Sequence, residues 1–354
     1  MQLFPPKNNS EEVEEDINQN LSVSERPRKK TVIPEKPRKK KEVNKPWGRG
    51  ERYLVGGVLL FTILLSSILG LLARDWKLPG MPRLNSIKLP KISLEKTFVI
   101  EGTQPKKDFS KVISDFKSAT NNLSGVYGLY VMELDSGQSF GVDEKEEFQA
   151  ASLIKLPVLI ALYQEAQKGN LNLEEKYTLR EEDRITGSGS LSSKPAGTAL
   201  TYRDLARLMG KQSDNTAFGI VRKKLGDVLI QNTITEIGMT KTNLEENLTS
   251  PSDIGLLLTK LYQGKLVSEK HKSEILGYLT DTVYEQWLTA GVPKEVKVAH
   301  KYGREIHVVN DAGVVMMTKP YVVVIMTKGV VEREADEIFP TLSKIIYDAM
   351  SRSE

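Results

Sequence analysis

The chain has 354 residues, room for one large or two ordinary globular domains, and a formal charge of only +4. It contains no cysteine, which excludes disulfides, a thiolate nucleophile and cysteine-ligated metal, and its three histidines show no HExxH or H-x-H spacing, which argues against a zinc hydrolase. No metal or cofactor site is expected, so any hydrolytic chemistry must use hydroxyl, amine and carboxylate groups.

Residues 1–52 hold 13 Lys/Arg against 9 Asp/Glu, which accounts for the whole net charge. They are poor in large apolar side chains and carry the runs RPRKK and KPRKKK, the composition of a disordered tail. The balanced remainder offers no basic face, so nucleic acid is not an expected partner. Residues 53–73, YLVGGVLLFTILLSSILGLLA, are uncharged, and at about 1.5 Å per residue they reach roughly 30 Å, the thickness of a bilayer core. Trp47, Tyr53 and Trp76 flank them as interfacial aromatics would. Between Arg26 and Arg52 stand 12 basic and 3 acidic residues, so the positive-inside rule puts the N-terminus in the cytoplasm and the rest outside. A cleaved signal peptide is the rival, but its n-region would be far too long. The expectation is a single-pass anchor in a bacterial cell membrane, in contact with lipid through residues 53–73. Residues 74–108, with Pro and Lys in no period, read as a spacer.

The module expected over 109–351 is long enough to bury its own core. Phe109, Val112, Ile113 and Phe116 are spaced for a helix. GVYGLYVMELDSGQSFGVDE alternates and turns at Asp135–Gly137, a hairpin signal. FQAASLIKLPVLIALYQEAQ (148–167) reads as an apolar helix, and Thr201 to Gln263 as further helices. VKVAHKYG, HVVNDAGVVMM and YVVVIMTKG read as three strands, followed by a closing helix, ADEIFPTLSKIIYDAM. This order predicts an α/β protein of the three-layer α+β kind, with an antiparallel sheet built from both ends of the chain and a helical subdomain inserted between.

The apolar helix carries Ser152 and, three residues on, Lys155. That spacing puts both on one helical face, and burial lowers a lysine pKa, so a neutral amine would stand beside a hydroxyl. A serine beside a base is an activated nucleophile. The alternative is a capping serine with a lysine that snorkels to water. The same S-x-x-K spacing recurs at Ser93–Lys96 and Ser114–Lys117, but only Ser152 heads an apolar helix.

Ser213-Asp214-Asn215 follows 61 residues after Ser152, and Lys301-Tyr302-Gly303 lies on a late strand. With S-x-x-K, these resemble the ordered signature of the class A β-lactamases, members of the penicillin-recognising serine hydrolases. GSGSL (187–191), DLARLMGKQSDNTA (204–217) and SPSDIGLLL (250–258) are similar to that family too, over about residues 109–350. The resemblance implies Ser152 as nucleophile, Lys155 as the group that accepts or directs its proton, and Ser213 with Lys301 as the relay to the leaving nitrogen. It implies Asn215 as a substrate ligand that steadies Lys155, and the backbone N–H groups of Ser152 and Arg304 as the oxyanion hole.

Two departures stand out. K-Y-G replaces K-T-G, so Tyr302 carries its hydroxyl further out than the family's threonine, and Lys301 and Arg304 supply the nearby positive charge for a substrate carboxylate. The family's deacylating glutamate lies in E-x-x-L-N, whereas here Asn247 is preceded four residues earlier by Asn243, in a shortened loop. Glu245 and Glu246 are the nearby carboxylates, either candidate deacylation bases or a solvated turn. Three readings follow: a β-lactamase with slow release, a D-alanyl peptide carboxypeptidase of the penicillin-binding kind, and a degraded cell-wall-binding protein without turnover.

Overall fold

The structure, a computed structural model, describes residues 57–58, 60–66 and 107–352. The chain divides between Lys96 and Thr97 into two units. In the first, residues 57–58 and 60–66 are helical, with Leu60, Phe61, Ile63 and Leu64 exposed. No described helix is long and apolar enough to cross a membrane. The rest of the expected 53–73 span, the 1–52 tail and all of the spacer but its last two residues lie outside the described residues.

The first described helix of the second unit is α1 (Ser110–Thr120), which buries Val112 and Phe116, one turn apart. Ser114 and Lys117 on this helix are exposed, so their S-x-x-K is a solvated face. β1 (Val126–Glu133) and β2 (Ser139–Val142) form the expected hairpin, with Met132 opposite Ser139. The 148–167 stretch is not one helix. Phe148–Gln149 pairs with Leu248–Thr249 as a short strand, Ala151–Ile154 is a 3₁₀ turn, and α2 starts only at Lys155 (Lys155–Gln167). α2 is buried almost all round, as a helix without a polar stripe must be.

The helical block comprises α3 (Tyr202–Lys211), α4 (Asn215–Leu225), α5 (Asp227–Ile237), α6 (Pro251–Tyr262) and α7 (Glu269–Tyr278). α7 was not anticipated: it buries only Ile275 and Leu276, too little for an apolar period, although Ser268 caps its first turn by accepting from His271 N. β3 (Lys297–Glu305), β4 (Val308–Met316), β5 (Tyr321–Lys328) and α8 (Glu332–Ser351) close the chain.

The sheet runs β2-β1-β5-β4-β3, with every neighbour antiparallel, so the first and last strands of the unit meet at its centre. Leu129, Val131, Val323 and Ile325 face the layer of Phe116 and Phe339, on α1 and α8. Val314, Val322, Val324 and Met326 face the other way, onto α2 and the helical block. Both faces are covered, which is why β5 reads as one apolar run instead of alternating. β3 is left at the edge, against the 3₁₀ turn of Ser152.

Phe116 is wholly buried beneath the sheet. Phe116→Ala is expected to cost about 3–5 kcal/mol, measured as a fall in the urea midpoint with unchanged slope.

Candidate active site

Ser152 is the second residue of the 3₁₀ turn, and Ala151 before it is held at φ 47°, in the left-handed region that residues with a Cβ avoid. Lys155 follows as the first residue of α2 and is 2% exposed. Its Nζ lies 3.0 Å from Ser152 Oγ, 2.6 Å from Asn215 Oδ1, 2.5 Å from the Ser213 carbonyl oxygen and 3.2 Å from Ser213 Oγ. Ser152 therefore caps nothing and Lys155 does not reach water, which disposes of the cap-and-snorkel alternative. Burial pushes the Lys155 amine down to about 8, against the opposing charges of Asp214 and Glu305.

Ser213 joins α3 to α4 at φ 54°, a second left-handed residue. Asp214 is fully buried and caps α4: its Oδ1 accepts from Ala217 N at 2.9 Å, and its Oδ2 from Leu191 N at 2.8 Å. Gly189 packs so closely on the Asp214 carboxylate that a Cβ has no room there. Asn215 Nδ2 donates to Thr186 O at 2.9 Å, and Asn215 N to Ser188 O at 3.0 Å. The GSGSL segment is thus strapped to the Ser213–Asn215 turn. Lys301 Nζ arrives from β3, donating to Ser213 Oγ at 2.8 Å and to Tyr302 O at 2.7 Å. Lys301 is completely buried; burial pushes its amine well below the usual lysine range, the neighbouring Lys155 charge pushes further, and Asp311 opposes both.

Side chains alternate along β3, so Lys301, Gly303 and Glu305 share the face toward Ser152. A Cβ at Gly303 would stand 2.7 Å from Ser152 N, so glycine is what lets the strand come this close. Tyr302 points elsewhere. Its ring lies 5.3 Å from Tyr284, 6.2 Å from His300 and 6.4 Å from Trp287, centroid to centroid, with Lys301 Nζ 4.4 Å from its own centre. Burial pushes its hydroxyl up to about 12, so it keeps its proton. Arg304 is committed as well: it pairs with Asp336 and lies 5.2 Å over the Trp287 ring.

The shortened loop is a tight turn. Asn243 N donates to Leu248 O at 2.9 Å and Leu248 N to Asn243 O at 3.1 Å, while Asn243 Oδ1 accepts from the N–H groups of Glu245 and Glu246 at 2.9 and 3.0 Å. Where the resemblance calls for a glutamate, this asparagine holds the turn. Glu245 is exposed and lines the cleft beside Ser152, Lys155 and Asn215, whereas Glu246 is exposed and does not line it. Asn247, at φ 54°, accepts from Ala150 N at 2.7 Å and donates from Nδ2 to Glu305 Oε1 at 3.0 Å.

Sequence reasoning missed Glu305, which lines the same cleft, although its place two residues beyond Gly303 marked its face. It also missed Asn310, whose Nδ2 donates to Gln149 O at 2.8 Å and so pins the segment ahead of Ser152 to β4. Behind Tyr302 lies a further buried cluster. His300 Nδ1 is 2.8 Å from Asp311 Oδ1, and Nε2 is 3.1 Å from Glu285 Oε1 and 3.2 Å from Thr282 Oγ1. Burial alone would lower the His300 pKa, but the charges and hydrogen bonds of Asp311 and Glu285 outweigh it and raise it to about 9. No pattern of spacing marks these residues, which come from three segments.

Residues 105–350 match the family model of the β-lactamase enzyme family. The chain belongs to that family. It is a serine β-lactamase-type hydrolase, with the class A arrangement of sheet and helices. β-Lactamase VEB-1 of Pseudomonas aeruginosa is 26% identical over 248 residues, covering 62% of this chain and 82% of its own length. A β-lactamase of Bacillus licheniformis is 26% identical over 219 residues, covering 57% of this chain and 68% of its own. Among solved structures, PBP-A superposes with a TM-score of 0.66 at 28% identity, covering 70% of this chain and 99% of that one. A PBP-A variant has been solved as an acyl-enzyme complex with penicillin G, and matches with a TM-score of 0.65 at 29% identity, covering 70% of this chain and 99% of that one.

The His300 cluster gives this hydrolase a pH-dependent stability. A raised pKa means its contribution is full below the unfolded value of 6.5 and is lost as pH rises through about 9. The lowered Lys155 and Lys301 amines act in the opposite sense over the same range, so the His300 contribution is read as a difference. The drop in thermal midpoint caused by His300→Gln is expected to be larger at about pH 7 than at about pH 9.5, and an equal drop at both would remove the imidazolium from the account.

Proposed function

We propose that this protein is acylated at Ser152 by β-lactam amides and releases the acyl group more slowly than it forms. The observation that carries this is the 3.0 Å contact between Ser152 Oγ and a Lys155 amine whose hold on its proton is weakened by burial. Neutral Lys155 takes the Oγ proton as the oxygen attacks the lactam carbonyl. Developing charge on that carbonyl falls to the backbone N–H groups of Ser152 and Arg304, each donor of this kind being worth about 100- to 1,000-fold in rate. Ser213, with Lys301 behind its hydroxyl, passes a proton to the departing nitrogen, and Asn215 binds the substrate while steadying Lys155. The acyl-enzyme of the PBP-A variant with penicillin G supports this substrate class.

Slow release rests on Asn243: an amide that caps a turn cannot take a proton from water. The same observation favours a second reading, a D-alanyl carboxypeptidase acting on cell-wall peptide, because both chemistries share the acylation step. A catalytically degraded cell-wall binder would take no covalent label. We further propose that residues 53–73 anchor the chain in a bacterial membrane with the hydrolase outside, on the support of the uncharged run and the basic residues before it.

A fluorescent penicillin is expected to label the protein quickly and persistently, and Ser152→Ala to abolish the label; a labelled Ser152→Ala protein would sink the assignment. The labelling rate is expected to rise through about pH 8 as Lys155 loses its proton, and this rise should vanish in Lys155→Arg.

A further inference from the structure

We infer that Glu305 is the carboxylate base that frees Ser152 from its acyl group, with Asn247 holding that carboxylate in place. This rests on the acylation reading above and says where the missing carboxylate comes from: the sheet edge, not the loop.

Glu305 shares the Ser152-facing side of β3 with Lys301 and Gly303, and lines one cleft with Ser152, Lys155 and Asn247. A carboxylate only accepts, so the Asn247 amide must turn its nitrogen to Glu305 Oε1, 3.0 Å away. That turns Asn247 Oδ1 the other way, where it is buried and accepts no hydrogen bond from the protein. The Asn247 main chain is held in place, because its carbonyl accepts from Ala150 N at 2.7 Å, two residues ahead of Ser152, with the backbone left-handed. The Glu305 charge is also felt at Lys155, where it opposes the effect of burial.

The loop carboxylates are placed less well. Glu245 lines the cleft but makes no hydrogen bond to Asn247 or Lys155, and Glu246 does not line it. In the step itself, a water oxygen attacks the ester carbon of acylated Ser152 while Glu305 takes one of its protons. The bond from that carbon to Ser152 Oγ breaks, its electron pair returns to Oγ, and the proton reaches Oγ from Glu305 by way of Lys155. One water is consumed, and the products are a carboxylic acid and the free serine hydroxyl.

The test uses the full chain, a fluorescent penicillin, and separate measurement of label formation and label lifetime. Glu305→Gln is expected to lengthen the lifetime by about 100-fold, the scale of a lost general base, and to change it far more than the labelling rate. In Glu305→Ala, added formate should shorten the lifetime again, which a purely structural role would not allow. A lifetime in Glu305→Gln within about twofold of the parent, or lengthening produced by Glu245→Gln in its place, overturns the inference while leaving acylation intact. Absence of label from every protein removes the acylation reading and this base together.

Discussion

The site depends on two lysine amines held out of water on either side of one hydroxyl. Lys155 Nζ and Lys301 Nζ stand 3.2 and 2.8 Å from Ser213 Oγ, and both side chains are buried. Two adjacent ammonium groups in such a place repel each other and lack hydration, so both are driven toward the neutral form. Asp214 and Asp311 oppose that drive without cancelling it. A neutral amine beside Ser152 is the condition for using a hydroxyl as a nucleophile, and the fold creates it by exclusion of water.

Holding those amines costs backbone strain. Ala151, Ser213 and Asn247 are all left-handed residues with a Cβ, and each belongs to a different wall of the site. Such residues cost on the order of 1–3 kcal/mol each and persist only where neighbours over-determine them. Here the neighbours are visible: Asn310 holds the chain before Ala151, Asp214 ties the Ser213 turn to Leu191, and the Ala150 N–H holds Asn247. Close packing does the rest, since Gly303 brings β3 against Ser152 and Gly189 admits the Asp214 carboxylate.

The edge strand links this site to a second buried charge system. His300, Lys301 and Tyr302 are consecutive on β3 and point to opposite sides by turns. Lys301 enters the catalytic side, while His300 binds Asp311 and Glu285 beneath Tyr302. The K-Y-G departure makes sense in this setting: Tyr302 joins an aromatic cluster with Tyr284 and Trp287, and its ring caps the Lys301 amine. Arg304 joins the same cluster through Trp287.

The sequence by itself determined the fold class, because helical and strand periods are local and β5, buried on both faces, announces itself as an unbroken apolar run. It also determined the three motifs, since S-x-x-K, Ser213-Asp214-Asn215 and Lys301-Tyr302-Gly303 are short stretches with recognisable order. It misplaced the start of α2, because the 3₁₀ turn at Ala151–Ile154 is set by contacts with Asn310 and Asn247 from far along the chain. It passed over α7, whose two buried residues leave no period to read. Only the tertiary structure decided which S-x-x-K serine sits beside a buried amine, where Tyr302 and Arg304 point, and that Glu305 meets Asn247 across 58 residues. Those are questions of desolvation and long-range approach, and neither leaves a mark in a local pattern of residues.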